Sequence, residues 1–432
     1  MRVRSRVALL VSILLASFGT LQSAEAVPGD IMWEHRDDVA GIPLAIFAAP
    51  DGGTVYMTDE GFGVHAFDAL TGELRSRGSW GGRHAITYES AISPDGSVLF
   101  LVGDRNNFSG NVYATVAFDT ATRERMWVRL LDFGPDVSAT SVAVSPEGDA
   151  VFVTGGGAVV AYRASTGARM WVTRLGHRFY GQDLAVSADG RRLYVVTEGL
   201  VLRDDAITIA LSTRIGRRLW MRRFSQGDNW GVWVRRIAVT ASGVVVTGST
   251  NPIPRADRSR SFTLAYAAAS GRTLWTRLYN GSPDSDYPVD LVIDPSAGSV
   301  VVTGASGGYD ADIYTVAYDL TTGETRWTAR YDGGGPYDEP NAIAVDPATS
   351  STYVLGTVYG DTITVWDDFG LIAYDTSTGE LKWDTRYGGP GELREQADAL
   401  ALSPNGEVLF VTGSSADGQG SYDRVVLAYE TV

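Results

Sequence analysis

The sequence predicts an all-β fold, an eight-bladed β-propeller with four antiparallel strands per blade. Three observations predict it. An "AY", "AF" or "AL" token recurs at Ala66, Ala117, Ala161, Ala210, Ala265, Ala317, Ala373 and Ala428, at gaps of 44 to 56 residues. Six of these alanines are followed ten residues later by a tryptophan: Trp127, Trp171, Trp220, Trp275, Trp327 and Trp383. The chain ends are complementary: "DIMWEHR" carries Trp33 with no alanine token before it, and "VVLAYETV" is a token with no tryptophan after it.

The period drifts but the ten-residue spacing does not. A fixed spacing inside a variable period marks a hairpin whose turn tolerates no insertion. In "AYDLTTGETRW", Asp319 and Thr322 can close the turn on their own backbone, and Gly323 suits a left-handed bulge position. Upstream of each token, small apolar stretches such as "NAIAVDP" and "ADALALSP" read as buried strands. After a tight turn, stretches such as "AVFVTG" and "VLFVTG" read as a second strand. Each unit therefore has four strands, and many such units make a propeller. Residues near 30–37 are expected to add the outer strand to the last blade, 397–430, which closes the ring and removes an open sheet edge.

The form A-x-D-x-x-T-G-x-x-x-W resembles the tryptophan-docking motif of quinoprotein-like propellers, the pyrroloquinoline-quinone-type repeat. "AYDLTTGETRW" and "AYDTSTGELKW" match it fully. "AFDTATRERMW" has Arg123 for the glycine, and "AFDALTGELRS" has Ser76 for the tryptophan. The resemblance covers nearly the whole chain after residue 26. It implies that the indoles pack between neighbouring blades.

Residues 1–26 read as a secretory signal peptide: a basic start at Arg2, Arg4 and Arg6, a short apolar core, and "AEA" before the cut. Residues 27–432 are expected to form a single propeller domain, secreted or periplasmic, with no transmembrane segment. The precursor carries a formal −15. Losing three arginines and one glutamate leaves −17, which excludes nucleic acid as a natural partner. There is no cysteine, which removes disulfides, thiolate metal sites and cysteine nucleophiles.

Both tight turns fall at one end of each blade, and the variable connections fall at the other. That face is the expected binding face. Polar residues near the start of the inner strands are the candidates for a ligand pocket at the channel: Glu89, Asp183, Arg235, Asp290, Asn341 and Asp398, with Tyr88 and Gln182 in equivalent places. Asp310, Asp312, Asp338 and Asp368 belong to an acidic sector of loops that could converge on Ca²⁺. Trp230, Trp233 and Trp366 are read as variable-loop indoles. No nucleophile elbow, zinc-protease or phosphate-loop motif is present.

The expected function is that of an exported, non-catalytic, monomeric propeller that binds a protein or glycan ligand of the cell envelope. The resemblance also implies an alternative, a quinone- and Ca²⁺-dependent oxidoreductase with the cofactor over the metal in the channel and a carboxylate as base. Enzymes of that kind carry an adjacent cysteine pair beside the cofactor and have longer chains, and this sequence departs from both.

Overall fold

The computed structural model describes residues 27–38, 41–107, 110–134, 137–176, 179–199, 205–227, 230–252, 258–360, 367–390, 393–418 and 421–431. The expected leader and Trp366 lie outside them. Eight four-stranded antiparallel sheets are arranged in sequence around a ring. Blades 1 to 7 span 43–79, 85–131, 139–174, 179–224, 230–279, 286–331 and 339–387. Blade 8 joins 395–430 to the N-terminal strand Ile31–Asp37.

The ten-residue spacing is the register of the third and fourth strands. Ala117 pairs with Trp127, Ala161 with Trp171, Ala210 with Trp220 and Ala265 with Trp275. Ala317 with Trp327 and Ala373 with Trp383 continue the series. A register shift follows each alanine, so an inserted residue would rotate the indole to the other face of the sheet.

In blade 8 the same pair is made between the chain ends, with Trp33 opposite Ala428. In blade 6 the turn is fixed by the Gly323 amide donating to the Asp319 carbonyl at 2.8 Å. In blade 8 that bond runs from the Gly29 amide to the Glu430 carbonyl, also 2.8 Å. One hairpin turn is thus built from two separate pieces of chain, and no open sheet edge is left at the seam.

Blades pack face to face through apolar side chains. Tyr194, Val196 and Ala210 of blade 4 share a core with Ile237, Val246 and Phe262 of blade 5. The indoles add a second tie. Trp127 donates to the Ala164 carbonyl of blade 3 at 2.7 Å, Trp220 to Ala268 of blade 5 at 3.0 Å, and Trp327 to Thr376 of blade 7 at 2.8 Å. Trp33 donates to Ala69 of blade 1 at 3.0 Å and is 8% exposed. Each of these rings also lies against the turn glycine of the blade it reaches. A Cβ on Gly72 would stand 2.4 Å from Trp33, and one on Gly167 would stand 2.6 Å from Trp127.

Candidate functional site

The channel is shaped by a bulge in every inner strand. The register shifts between Pro43 and Ala45, Thr87 and Glu89, Ala139 and Ser141, Gly181 and Asp183. It shifts again between Val234 and Arg236, Pro288 and Asp290, Pro340 and Ala342, Ala397 and Ala399. The glycine of "VTG" faces this point. A Cβ on Gly304 would meet the Tyr287 carbonyl at 2.1 Å, and one on Gly413 the Gln396 carbonyl at 2.3 Å. A side chain there would push the bulged strand away.

Each bulge adds one unpaired residue before the ladder resumes. The result is two stacked rings around the axis. The extra residues include Tyr88, Gln182, Arg235, Asn341 and Asp398, and the following positions hold Glu89, Ser141, Asp183, Arg236 and Asp290. The six pocket candidates divide between the rings, three in each.

The second ring is an electrostatic network. The Val142 amide of blade 3 donates to Glu89 of blade 2 at 2.7 Å. The Ile237 amide of blade 5 donates to Asp183 of blade 4 at 2.9 Å, and the Ile343 amide of blade 7 to Asp290 of blade 6 at 3.2 Å. The carboxylates of blades 2, 4 and 6 therefore each hold a backbone amide of the next blade. The Ser141 hydroxyl also donates to Asp183, at 3.0 Å.

Arg236 answers this charge, with its Nε 3.3 Å from Asp290 Oδ1. Its side chain is 45% accessible and faces the open channel. Burial opposes its charge, but Asp290, Asp183 and Glu89 outweigh burial and raise its pKa. Burial and then the charge of Asp183 push the Glu89 carboxyl up to about 7, against the pull of Arg236. Burial likewise raises Asp183 and Asp290. Burial pushes Asp398, in the other ring, up to about 8, and its Oδ2 is buried without a partner among the described residues.

Arg236 was not among the sequence candidates, yet it occupies the same column as Glu89, Asp183 and Asp290. Aligning the inner strands on their turns is enough to find it. The seam cluster was not legible in this way. There Arg424, 3% exposed, meets Asp59 at 2.5 Å beside a cavity of about 430 Å³. Burial opposes the Asp59 charge, but His65, Arg424 and the Gly63 amide hold the carboxyl below its ordinary range.

On the loop face the acidic sector is only partly brought together. Asp312 and Asp338 converge with Asp332, their carboxylate oxygens all within 4.8 Å of one another. Asp310 and Asp368 are outside this group. The three carboxylates already have partners: Asp312 with Arg330 at 2.5 Å, Asp332 with the Gly334 amide at 2.7 Å, and Asp338 with the Tyr359 amide at 3.0 Å. Burial and then the neighbouring aspartates raise Asp338, against its two backbone donors. Trp230 and Trp233 correct the sequence reading. They lie in the inner strand Trp230–Val239, because blade 5 extends its first hairpin out to the pair Trp230–Pro252.

Asn341 opens onto a cavity of about 240 Å³ between blades 7 and 8, also lined by Glu339, Thr357, Tyr359, Asp367, Arg394, Gln396 and Tyr422. Asp367 and Arg394 pair across it at 2.8 Å. The Thr357 hydroxyl donates to Asn341 Oδ1 at 3.3 Å, which leaves the Asn341 amide nitrogen for other partners.

Eight four-stranded blades, the alanine–tryptophan hairpins and the end-to-end closure define a quinoprotein-like propeller. The chain belongs to the family described as outer membrane protein assembly factor BamB, whose model matches residues 5–136, 113–346 and 314–431. No curated protein matches the sequence. Among solved structures, BamB from Moraxella catarrhalis is 18% identical, covers 93% of this chain and 99% of its own, and superposes with a TM-score of 0.56. The quinohemoprotein alcohol dehydrogenase ADHIIG from Pseudomonas putida HK5 is 14% identical, with coverage of 93% and 76% and a TM-score of 0.64. Hydrazine synthase from Kuenenia stuttgartiensis is 15% identical, with coverage of 96% and 99% and a TM-score of 0.52. At these identities the likeness is one of fold. No helix among the described residues is long and apolar enough to cross a membrane.

Proposed function

We propose that the protein is an exported, non-catalytic propeller, a monomer that binds or scaffolds a protein partner of the cell envelope through its variable-loop face. The leader 1–26 delivers the domain 27–432 to that compartment. The observation that carries this reading is the use made of the channel carboxylates. Glu89, Asp183 and Asp290 each hold the backbone of the next blade, and Arg236 balances them. They serve the ring and leave no free base on that level. The loop face meanwhile presents Tyr309, 99% exposed in the second connection of blade 6. Tyrosine is among the residue types enriched at the energetic centres of protein interfaces, and Tyr309 is the proposed anchor. Membership of a family described as an assembly factor supports the same reading.

The likeness to a quinohemoprotein dehydrogenase supports the alternative, and the channel residues do not fit it. Pyrroloquinoline quinone is a tricarboxylate. The second ring offers it one arginine, already committed to Asp290, among three acids. In the acidic cluster, Asp332 and Asp338 lie in the connection between blades 6 and 7 and Asp312 starts the third strand of blade 6, so none of them belongs to that ring.

The test is crosslinking and recovery of the mature domain from envelope extract, beside Tyr309→Arg. Recovery of a protein by the parent and its loss in the variant supports the reading. A quinone absorbance band that saturates with added quinone and Ca²⁺ would replace it with the alternative.

A further inference from the structure

We infer that the cavity between blades 7 and 8 is a binding site for one neutral sugar ring of a glycan. The inference goes beyond the protein-partner reading and does not depend on it.

The site is built from both sides and held at its base. The Glu395 amide of blade 8 donates to the Asp367 carbonyl at 2.7 Å, and the Ala397 amide to the Thr357 hydroxyl at 3.3 Å. These bonds fix the entry of blade 8 against blade 7, so the lining is preorganised. The Asp367–Arg394 pair adds a planar, charge-assisted edge with donors and acceptors side by side.

The chemistry of the lining selects the ligand class. Glu339 offers an acceptor, Gln396 a donor and an acceptor, and Asn341 its amide donors. A sugar hydroxyl both donates and accepts, so vicinal hydroxyls need this mixture of partners. Tyr359 and Tyr422 contribute the ring surface, and Tyr422 is 43% exposed. Aromatic faces of this kind pack on the C–H faces of pyranoses. The described residues that line the cavity are all polar or aromatic, a set suited to hydroxyl groups. Glu339 and Asp367 outnumber Arg394, which disfavours phosphate and other anions. A volume of about 240 Å³ suits one ring, with the rest of the glycan running out over the loop face.

The experiment is saturation-transfer NMR and titration calorimetry on the mature protein. The probes are methyl glucoside, methyl galactoside and N-acetylglucosamine, with inorganic phosphate and arginine methyl ester as charged controls. At least one sugar is expected to bind saturably. Asn341→Ala and Gln396→Ala should each weaken it roughly tenfold, the loss of one good hydrogen bond and its partner's desolvation. Thermal melts matching the parent show that these variants are folded. Tyr309→Arg, which removes the proposed protein anchor, should bind the sugar like the parent, so the two proposals fail separately. Three results overturn the inference: no saturable sugar binding, equal affinity in the parent and both pocket variants, or binding of only phosphate or the arginine ester.

Discussion

Gly78 of blade 1 lies against Arg123 of blade 2 so closely that a Cβ on Gly78 would stand 2.6 Å from the Arg123 carbonyl. Arg123 holds the left-handed turn position, at φ 60°, that glycine fills in most other blades. Two residues before Gly78 is Ser76, where most other blades have the indole. The two departures from the repeat therefore belong to one interface, and the missing tryptophan and the missing glycine face each other. Where an indole is present it needs a turn without a Cβ, as Trp275 does over Gly323. Without the indole that constraint is gone, and an arginine can occupy the turn.

This relationship predicts strong coupling. Ser76→Trp alone should overpack against Arg123 and cost about 1–3 kcal/mol. Arg123→Gly alone removes a left-handed side chain, worth roughly 1 kcal/mol, but leaves the interface underfilled. The double variant restores the pair used elsewhere. Its unfolding free energy, from denaturant titration, should exceed the value expected from adding the two single changes by more than about 1 kcal/mol. Simple additivity would refute the compensation.

Trp33 should behave as a structural tryptophan of an ordinary blade. Trp33→Ala is expected to cost about 3–5 kcal/mol. Trp80 packs edge-on to Phe62 at 5.2 Å and under Arg105, so its loss should cost less. Deleting residues 27–38 should be worse than either, because it removes the closing strand and the Gly29 turn. Denaturant midpoints of the three variants decide it. A deletion that unfolds like the parent would rule out ring closure as a source of stability.

Asp398 gives a pH dependence of definite sign. Its folded pKa, about 8, lies above the unfolded value of about 3.9. The folded state therefore holds a proton that the unfolded chain has released. Stability from this group is full below about pH 4 and is lost as pH rises through about 8. Asp398→Asn should leave the melting temperature unchanged in acid and raise it in mild alkali. Identical pH profiles for parent and variant would show that Asp398 is hydrated in the channel.

Arg236→Met should leave Asp183 and Asp290 facing each other without their cation. A fully buried pair broken in this way costs about 3–5 kcal/mol; water in the channel should reduce that to about 2 kcal/mol. Because burial raises both aspartates, the loss should shrink as pH falls and they take up protons. Urea unfolding of parent and variant across that range measures it, and a loss independent of pH would point to packing instead of charge.

Calcium should raise the melting temperature no more than sodium at equal ionic strength, since Arg330 and backbone amides already occupy Asp312, Asp332 and Asp338. A calcium-specific rise, lost in Asp338→Asn, would show that the ion displaces Arg330 and would establish the cluster as a metal site.

The sequence by itself determined the blades. Spacing is local: Ala317 and Trp327 meet because the turn between them has a fixed length, and any hairpin of that length would bring them together. Ring closure was legible for the same reason, since Trp33 and Ala428 are the two halves of one such hairpin. Only the tertiary structure decided which blade each indole reaches, and so that Ser76 and Arg123 share an interface. It also decided the channel. The bulge that adds a second ring is a backbone event, marked in six blades by a glycine in the facing strand, such as Gly304, and in blades 1 and 4 by Asp59 and Thr197 instead. Whether Glu89, Asp183 and Asp290 are free or engaged depends on amides some 53 or 54 residues further along the chain. Linear spacing does not fix which blade supplies them, because their positions follow from the angle at which eight sheets close a circle.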